Sequence, residues 1–507
     1  MRLTDLIKAA GLNLKVSSDT EIIGLTADSR QVKPGWLFAA LPGAKVDGSA
    51  FIEDALKAGA SAVLLNNNVI PAKAGIQLTA YPAPNHLEMD PGFRRGDAIN
   101  YLSTDNPRLT LAKLAAAFYA PLPQHLVAVT GTNGKTSTAN FAMQLFNACK
   151  HKAAAIGTIG ITGPGVEREG SLTTPDPIAL AKDLGELKAK GFDHVALEAS
   201  SHGIDQYRLD GLTFKAAGFT YLGRDHLDYH TTLEGYFRAK ALLFERLLPP
   251  GGTAVLNADC PEFTQLANIA RMRGQKIIGY GEKGSDLQLL KTIPMPTGLG
   301  LTLNAFGERV ETVLKVTGGF QTGNVLCALG LVLGCGVPLK QALGRLDALT
   351  NVRGRMELVG QTPDGAGVYV DYAHTPDALE TVLQALRAHT TGRLVSLFGC
   401  GGNRDKGKRP EMGRISTRLA DITYVTDDNP RLEEAAAIRR EILVAAPGAV
   451  EVDDRAKAIQ MAIKALKPGD TLIIAGKGHE QGQIVGTQVL PFDDAAIARA
   501  ALKELVA

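Results

Sequence analysis

Short apolar runs punctuate this chain at intervals that a helix can fill. Leu126-Val127-Ala128-Val129-Thr130, His194-Val195-Ala196-Leu197-Glu198 and Ala254-Val255-Leu256-Asn257 read as buried strands in a middle region. Gly367-Val368-Tyr369-Val370-Asp371, Leu394-Val395-Ser396-Leu397-Phe398, Ile422-Thr423-Tyr424-Val425-Thr426 and Thr471-Leu472-Ile473-Ile474-Ala475 do the same further on. An opening region has shorter strands, Ile22-Ile23-Gly24-Leu25 and Ser61-Ala62-Val63-Leu64-Leu65, with helix-like Phe51-Ile52-Glu53-Asp54-Ala55-Leu56 between them. Strands spaced by helices predict parallel sheets of α/β type. The pattern divides into three domains, 1–103, 104–351 and 352–507. The stretch 67–97 carries four prolines and no period, and is expected to be an exposed, poorly ordered insertion rather than a binding element.

Composition narrows the partners. Lys and Arg total 54 against 52 Asp and Glu, so a net charge of +2 supplies no global field for nucleic acid or an anionic membrane. No run reaches the roughly 18 apolar residues of a membrane span. Five scattered cysteines (Cys149, Cys260, Cys327, Cys335, Cys400) lack metal-ligand spacing, and the first residues lack the pattern of a secretory signal. Reduced thiols in a cytoplasmic protein are the expectation.

The strongest local signal is Gly131-Thr132-Asn133-Gly134-Lys135-Thr136-Ser137, directly after a strand. Glycines allow a tight turn whose N–H groups face phosphate oxygens. The next helix adds its positive end, Lys135 a cation, and Thr136 a hydroxyl for Mg²⁺. The loop departs from the standard spacing, since Val129 stands where the first glycine would fall. Phosphate binding alone leaves kinase, GTPase, motor and ligase open.

The loop joins three further motifs: Glu198-Ala199-Ser200-Ser201-His202-Gly203, Arg224-Asp225-His226-Leu227-Asp228-Tyr229-His230 and Asp371-Tyr372-Ala373-His374-Thr375-Pro376. Together they resemble the Mur ligase superfamily. The stretches GCGGNRDKGKRP (399–410), TDDNPR (426–431) and AGKGHE (475–480) are similar to those of its diaminopimelate-adding members. The likeness runs from Thr26-Ala27-Asp28-Ser29-Arg30 to Glu480.

The resemblance implies a small N-terminal α/β domain that binds a UDP-sugar, a central P-loop ATPase-like parallel sheet, and a C-terminal Rossmann-like domain. It implies a monomer that uses ATP and Mg²⁺. ATP would phosphorylate the D-glutamate carboxylate of UDP-N-acetylmuramoyl-L-alanyl-D-glutamate, and the amine of meso-2,6-diaminopimelate would attack the acyl phosphate. Lys135, Glu198, His226 and Lys240 would be catalytic. Thr136, Glu198, His226 and Lys240, the last as a carbamate (N6-carboxylysine), would hold metal. Asn324, Arg355 and Asp371 would meet the nucleotide with the loop, although Gln321 stands where the family has Asn. Ala27, Ser29, Ala44, Lys45, Val46, Leu172, Thr173, Thr174, Ser200, Gln206 and Arg208 would bind the nucleotide-sugar dipeptide.

By residue type alone several of these positions have plainer readings. Glu198 is also a strand-end Glu, His226 a structural histidine, Lys240 a solvated helical lysine, and Thr173-Thr174-Pro175-Asp176 a turn.

Arg404, Asp428, Asn429, Pro430, Arg431, Gly476 and Glu480 are the diaminopimelate contacts that the resemblance implies. Guanidinium forks suit the far carboxylate of such an amino acid, and a glutamate suits its ammonium. An earlier DNPR, Asp105-Asn106-Pro107-Arg108, precedes a helical pattern and reads instead as a helix cap. The basic run Arg404, Lys406, Lys408, Arg409 is short and lacks the aromatic interleaving of nucleic-acid binders. The rival readings are a lysine-adding or folylpolyglutamate-type sister ligase and, from another class, a nucleotide-dependent switch. A scaffold without activity is disfavoured because every phosphate- and metal-facing position is filled by a competent residue.

Overall fold

The computed structural model describes residues 1–43, 47–67, 99–170, 172–223, 225, 227–295 and 298–505. The expected insertion, beyond Asn67, lies outside the described residues, as do Ala44, Lys45, Val46 and His226.

Three sheets organise the chain. The first has four parallel strands in sequence order, Gly24–Thr26, Trp36–Ala39, Ala62–Asn66 and Asn100–Thr104. Helices Leu3–Ala9 and Pro107–Phe118 cover one face, where Leu3, Leu6, Leu64, Leu111 and Leu114 share a core. The earlier DNPR is a cap, as its sequence suggests. Asn106 Oδ1 accepts from Leu109 N at 3.0 Å, and Pro107 opens the helix.

The central sheet has eleven strands. Its parallel heart runs, in spatial order, Lys276–Gly281, Thr253–Asn257, Phe214–Phe219, His125–Thr130, His194–Glu198, Ala153–Gly157. Both faces are buried, because alternate residues of each strand feed different cores. Val127 and Val129 pack with Phe141 and Leu145, whereas Leu126 and Ala128 pack with Leu180 and Leu184. Each such Val, Leu or Phe side chain contributes roughly 1.5–3 kcal/mol by leaving water. Antiparallel strands extend the sheet at both edges: Leu287–Met295, Gly298–Ala305 and Glu308–Leu314 on one side, Gly160–Gly163 and Val166–Arg168 on the other.

The third sheet orders its strands Glu357–Gln361, Gly367–Asp371, Thr471–Ala475, Leu394–Phe398, Ile422–Val425 and Val450–Glu451, all parallel except the first. The five cysteines are free thiols, all but Cys335 buried. Among the described residues no helix is long and apolar enough to cross a membrane.

Candidate active site

Two neighbouring strands present the phosphate loop and an acid side by side. Val129 pairs with Glu198 in register, so the loop after Thr130 and the Glu198 carboxylate emerge together at the carboxyl edge of the central sheet. Gly134 has φ +87°, and a Cβ there would stand 2.3 Å from Asn324 Oδ1, so only glycine closes this turn against the helix Gln321–Gly334. Lys135 folds back over the loop, donating to Gly131 O and Thr132 O at 2.8 Å each. Desolvation lowers its pKa, with Glu198 pulling the other way. Not every loop amide faces a ligand. Thr132 N donates to Tyr221 O at 2.7 Å and ties the loop to the chain leaving the adjacent strand.

Glu198 is almost wholly buried. Its carboxylate accepts from Thr136 Oγ1 at 3.0 Å, from Thr158 N at 2.8 Å and from Thr158 Oγ1 at 3.2 Å. No ion pair reaches it among the described residues, and burial raises its pKa. The neighbouring strand makes room: a Cβ on Gly157 would stand 2.0 Å from Glu198 Oε1. A buried carboxylate beside a threonine hydroxyl is a hard oxygen donor pair of the kind Mg²⁺ takes, with phosphate and water oxygens left to complete the set. The residues therefore fit the ion.

Lys240 does not fit it as an amine. The side chain is 1 % exposed, donates to Gly131 O at 2.9 Å and lies 4.2 Å from the Tyr236 ring centroid. Desolvation first, and then the Lys135 charge, push its pKa well down. The solvated-lysine alternative is overturned, since this lysine is sealed beneath the phosphate loop.

The residues singled out for the nucleotide-sugar dipeptide fall into two groups. Thr173, Thr174, Ser200, Gln206 and Arg208 form one hydrogen-bonded chain. Thr173 meets Thr158 at 3.0 Å, and Thr174 Oγ1 donates to Glu198 O at 2.7 Å and accepts from Ser200 N at 2.9 Å. Arg208 reaches Thr174 O at 2.7 Å and Gln206 Oε1 at 2.8 Å. The segment is a turn as well, because Asp176 caps the helix Pro177–Ala189. Leu172 is exposed beside it. Ala27 and Ser29 stand apart, just past the strand Gly24–Thr26, and no hydrogen bond joins them to that chain among the described residues.

Four strands of the third sheet end around a cavity of about 780 Å³. It gathers Arg404, Asp428, Asn429, Arg431, Gly476 and Glu480. Pro430 completes the turn without lining the cavity. Arg404 is exposed at its mouth, whereas Arg431, at φ +53°, donates to Gly402 O at 3.0 Å. Arg409 belongs elsewhere. It is fully buried and paired with Glu433 at 3.0 Å and Glu441 at 2.7 Å, so the basic run is no continuous exposed patch.

Asp371 accepts from Met356 N and Ala373 N, each at 2.7 Å, and burial raises its pKa. In this arrangement it fixes the turn carrying Arg355, whose guanidinium lies 4.5 Å from the Tyr372 ring centroid. The charge of Arg355 is felt by Glu198 and Lys135 alike. Asn324 Nδ2 donates to Gln321 Oε1 at 2.7 Å, so the glutamine that departs from the family pattern acts as the neighbour's acceptor.

Reading residues alone missed Thr158, Thr220 and Lys477. Thr158 bridges Glu198 and Thr173, and Thr220 Oγ1 holds Asn133 O at 2.6 Å; neither carries a local signal. Lys477 did carry one, a lysine between two glycines just after a buried strand.

Comparison with known proteins is consistent along the whole chain. Three family descriptions match: the Mur ligase family catalytic domain over residues 21–119, the Mur ligase middle domain over 129–332, and the Mur ligase glutamate ligase domain over 354–478. A UDP-N-acetylmuramoyl-L-alanyl-D-glutamate–2,6-diaminopimelate ligase of Mesorhizobium japonicum is 47% identical, with 100% of both chains covered. One of Rhizobium meliloti is 48% identical, with 99% of both covered. A solved structure of an enzyme of that same name aligns with TM-score 0.70 at 28% identity, covering 99% of each chain. The fold also matches a MurF ligase from Thermotoga maritima in complex with ADP, with TM-score 0.59, 20% identity, and 96% and 97% covered.

Proposed function

The chain belongs to the Mur ligase family, and on that premise we propose that it joins meso-2,6-diaminopimelate to UDP-N-acetylmuramoyl-L-alanyl-D-glutamate in peptidoglycan synthesis, converting ATP to ADP and phosphate. The observation that carries this reading is the cavity at the carboxyl edge of the third sheet, whose charged lining includes Arg404, Arg431 and Glu480. An amino acid with a second head needs both signs of charge at its far end, and few other acceptors do.

In this reading residues 1–103 hold the UDP-sugar, 104–351 the nucleotide and 352–507 the acceptor. Lys135 and Arg355 neutralise the transferring phosphoryl group as the D-glutamate carboxylate attacks it and ADP leaves. Arg208, Thr173 and Thr174 hold the dipeptide so that its carboxylate meets the phosphoryl group. Arg404 and Arg431 hold the far carboxylate of diaminopimelate and Glu480 its far ammonium, which aims the near amine at the acyl carbon. The resulting tetrahedral adduct collapses with loss of phosphate. Holding the reactants in such contact can lower a barrier by about 7–11 kcal/mol. Thr136 and Glu198 would hold Mg²⁺, with His226 and carbamylated Lys240 as the family's further ligands; the ion supplies positive charge to phosphate oxygens.

Phosphate release tests the reading. It is measured with the UDP-muramoyl dipeptide and ATP plus meso-diaminopimelate, L-lysine or no acceptor. Release that depends on diaminopimelate is expected. Lysine lacks a far carboxylate and leaves the arginines unmatched, a loss on the scale of ~10⁴–10⁵ where such groups are desolvated. Equal use of L-lysine would assign the chain to the lysine-adding sisters, and brisk release with no acceptor to the switches.

A further inference from the structure

At the end of the strand Thr471–Ala475 the chain passes through Gly476 and Gly478, both left-handed in φ, and Lys477 between them has no exposed side-chain surface. Its ammonium donates to Asn429 Oδ1 and to Glu480 Oε2, both at 3.0 Å. Asn429 is committed at both ends of its amide. Oδ1 also accepts from Ile484 N at 2.9 Å, and Nδ2 donates to Glu480 Oε2 at 2.9 Å. Two donors on the oxygen and an acceptor on the nitrogen permit only one orientation of that amide. Lys477 and Asn429 thus converge on a single oxygen of Glu480 and leave Oε1 without a partner among the described residues.

We propose that Lys477 is a positioning residue for the acceptor amino acid, locking Asn429 and Glu480 so that one carboxylate oxygen of Glu480 is held ready for the acceptor's far ammonium. The inference rests on the cavity being the diaminopimelate site. A buried ammonium persists only where it is paired and hydrogen-bonded, and both of its side-chain partners here line the same cavity. Without it, Glu480 loses a fixed rotamer, and the acceptor must order the carboxylate as it binds.

The test is Lys477→Met, assayed for KM with each of the three substrates, alone and combined with Glu480→Gln. A rise in KM for diaminopimelate of about tenfold or more is expected, from losing bonds to a charged group. KM for ATP and for the UDP-muramoyl dipeptide should stay unchanged, and the double variant should be no worse than Glu480→Gln alone. A common rise in all three KM values, additive effects, or no change would each overturn the proposal. So would failure of both Lys477→Met and Lys477→Gln to fold, since the lysine would then serve the fold itself. The unaltered protein separates the two ideas. If it prefers L-lysine, the substrate reading fails, and the KM split measured with that acceptor still judges Lys477.

Discussion

At the scale of single residues, burial changes what a side chain can do. Lys240 sits in a helix whose pattern offers no reason to bury a charge, and sequence alone makes it a solvated cation; only the resemblance marked it. The side chain instead lies sealed against Tyr236 and Gly131 O, with a pKa driven well down by desolvation. A lowered pKa enlarges the share of free amine, the form that attacks CO₂, and carbamylation would put an anionic oxygen donor beside the phosphate loop. Lys240→Ala is therefore expected to lose most activity and to regain part of it with added short-chain carboxylates, read as phosphate release with and without acetate or formate. Full activity in the unrescued variant would remove the role. Arg409 and Lys477 show why sequence stops short here. Each looks like one more basic residue in a motif, and each is buried against partners 24 and 32 residues away or 48 and 3 residues away. The distant partners, Glu433 and Glu441 for Arg409 and Asn429 for Lys477, leave no mark in the local sequence.

Among the elements, strands with a strong apolar run and a functional carboxyl end were legible, because both signals lie within a few residues. His194–Glu198, Gly367–Asp371, Leu394–Phe398 and Thr471–Ala475 match their expected limits. The antiparallel strands between Leu287 and Leu314 were not foreseen. Leu287–Met295 and Glu308–Leu314 are mostly exposed, only Gly298–Ala305 alternates between buried and half-buried, and their pairing is set by neighbours rather than by composition. The two strands that carry Glu198 and the phosphate loop also pair His125 with His194 at their opposite ends, and these rings stack at 4.3 Å with His151 close by. Burial first, then repulsion from His125 and His151, lowers the pKa of His194 to about 4 from an ordinary 6.5. Asp193 opposes that shift. Because the folded pKa is depressed, the neutral ring's contribution is complete above pH 6.5 and is lost as pH falls toward 4. The loss should reach on the order of 1–2 kcal/mol by pH 5. Urea unfolding at pH 7.5 and 5.0 should show a smaller acid loss in His194→Phe than in the unaltered chain. An identical acid loss in both would show that this cluster does not titrate with folding.

For the whole molecule, the proposed function places most phosphate handling at the carboxyl edge of the central sheet, joined there by Arg355 from the third unit, and acceptor recognition at the carboxyl edge of the third sheet. The contacts between these units are polar and partly exposed. Arg353 meets Glu167 of the central unit at 3.0 Å, and His389 meets Met295 O at 2.7 Å. An exposed ion pair of this kind contributes roughly 0.2–1 kcal/mol, a small barrier to any closure of the units over an acyl phosphate. Division of labour makes the two half-reactions separable. Arg431→Met removes a guanidinium from the acceptor cavity and leaves Lys135, Thr136 and Glu198 as they are. It should still phosphorylate the dipeptide, trapped by borohydride reduction of the acyl phosphate, while its ligation with diaminopimelate falls by about tenfold or more. Lys135→Met should lose both, together with the protection against unfolding that ADP gives, which is about 2.7 kcal/mol at a hundred times its Kd. If Arg431→Met also abolished acyl-phosphate trapping and ADP protection, the acceptor cavity itself, and not Arg355 alone, would take part in phosphoryl transfer, and the separation of the two steps would be wrong.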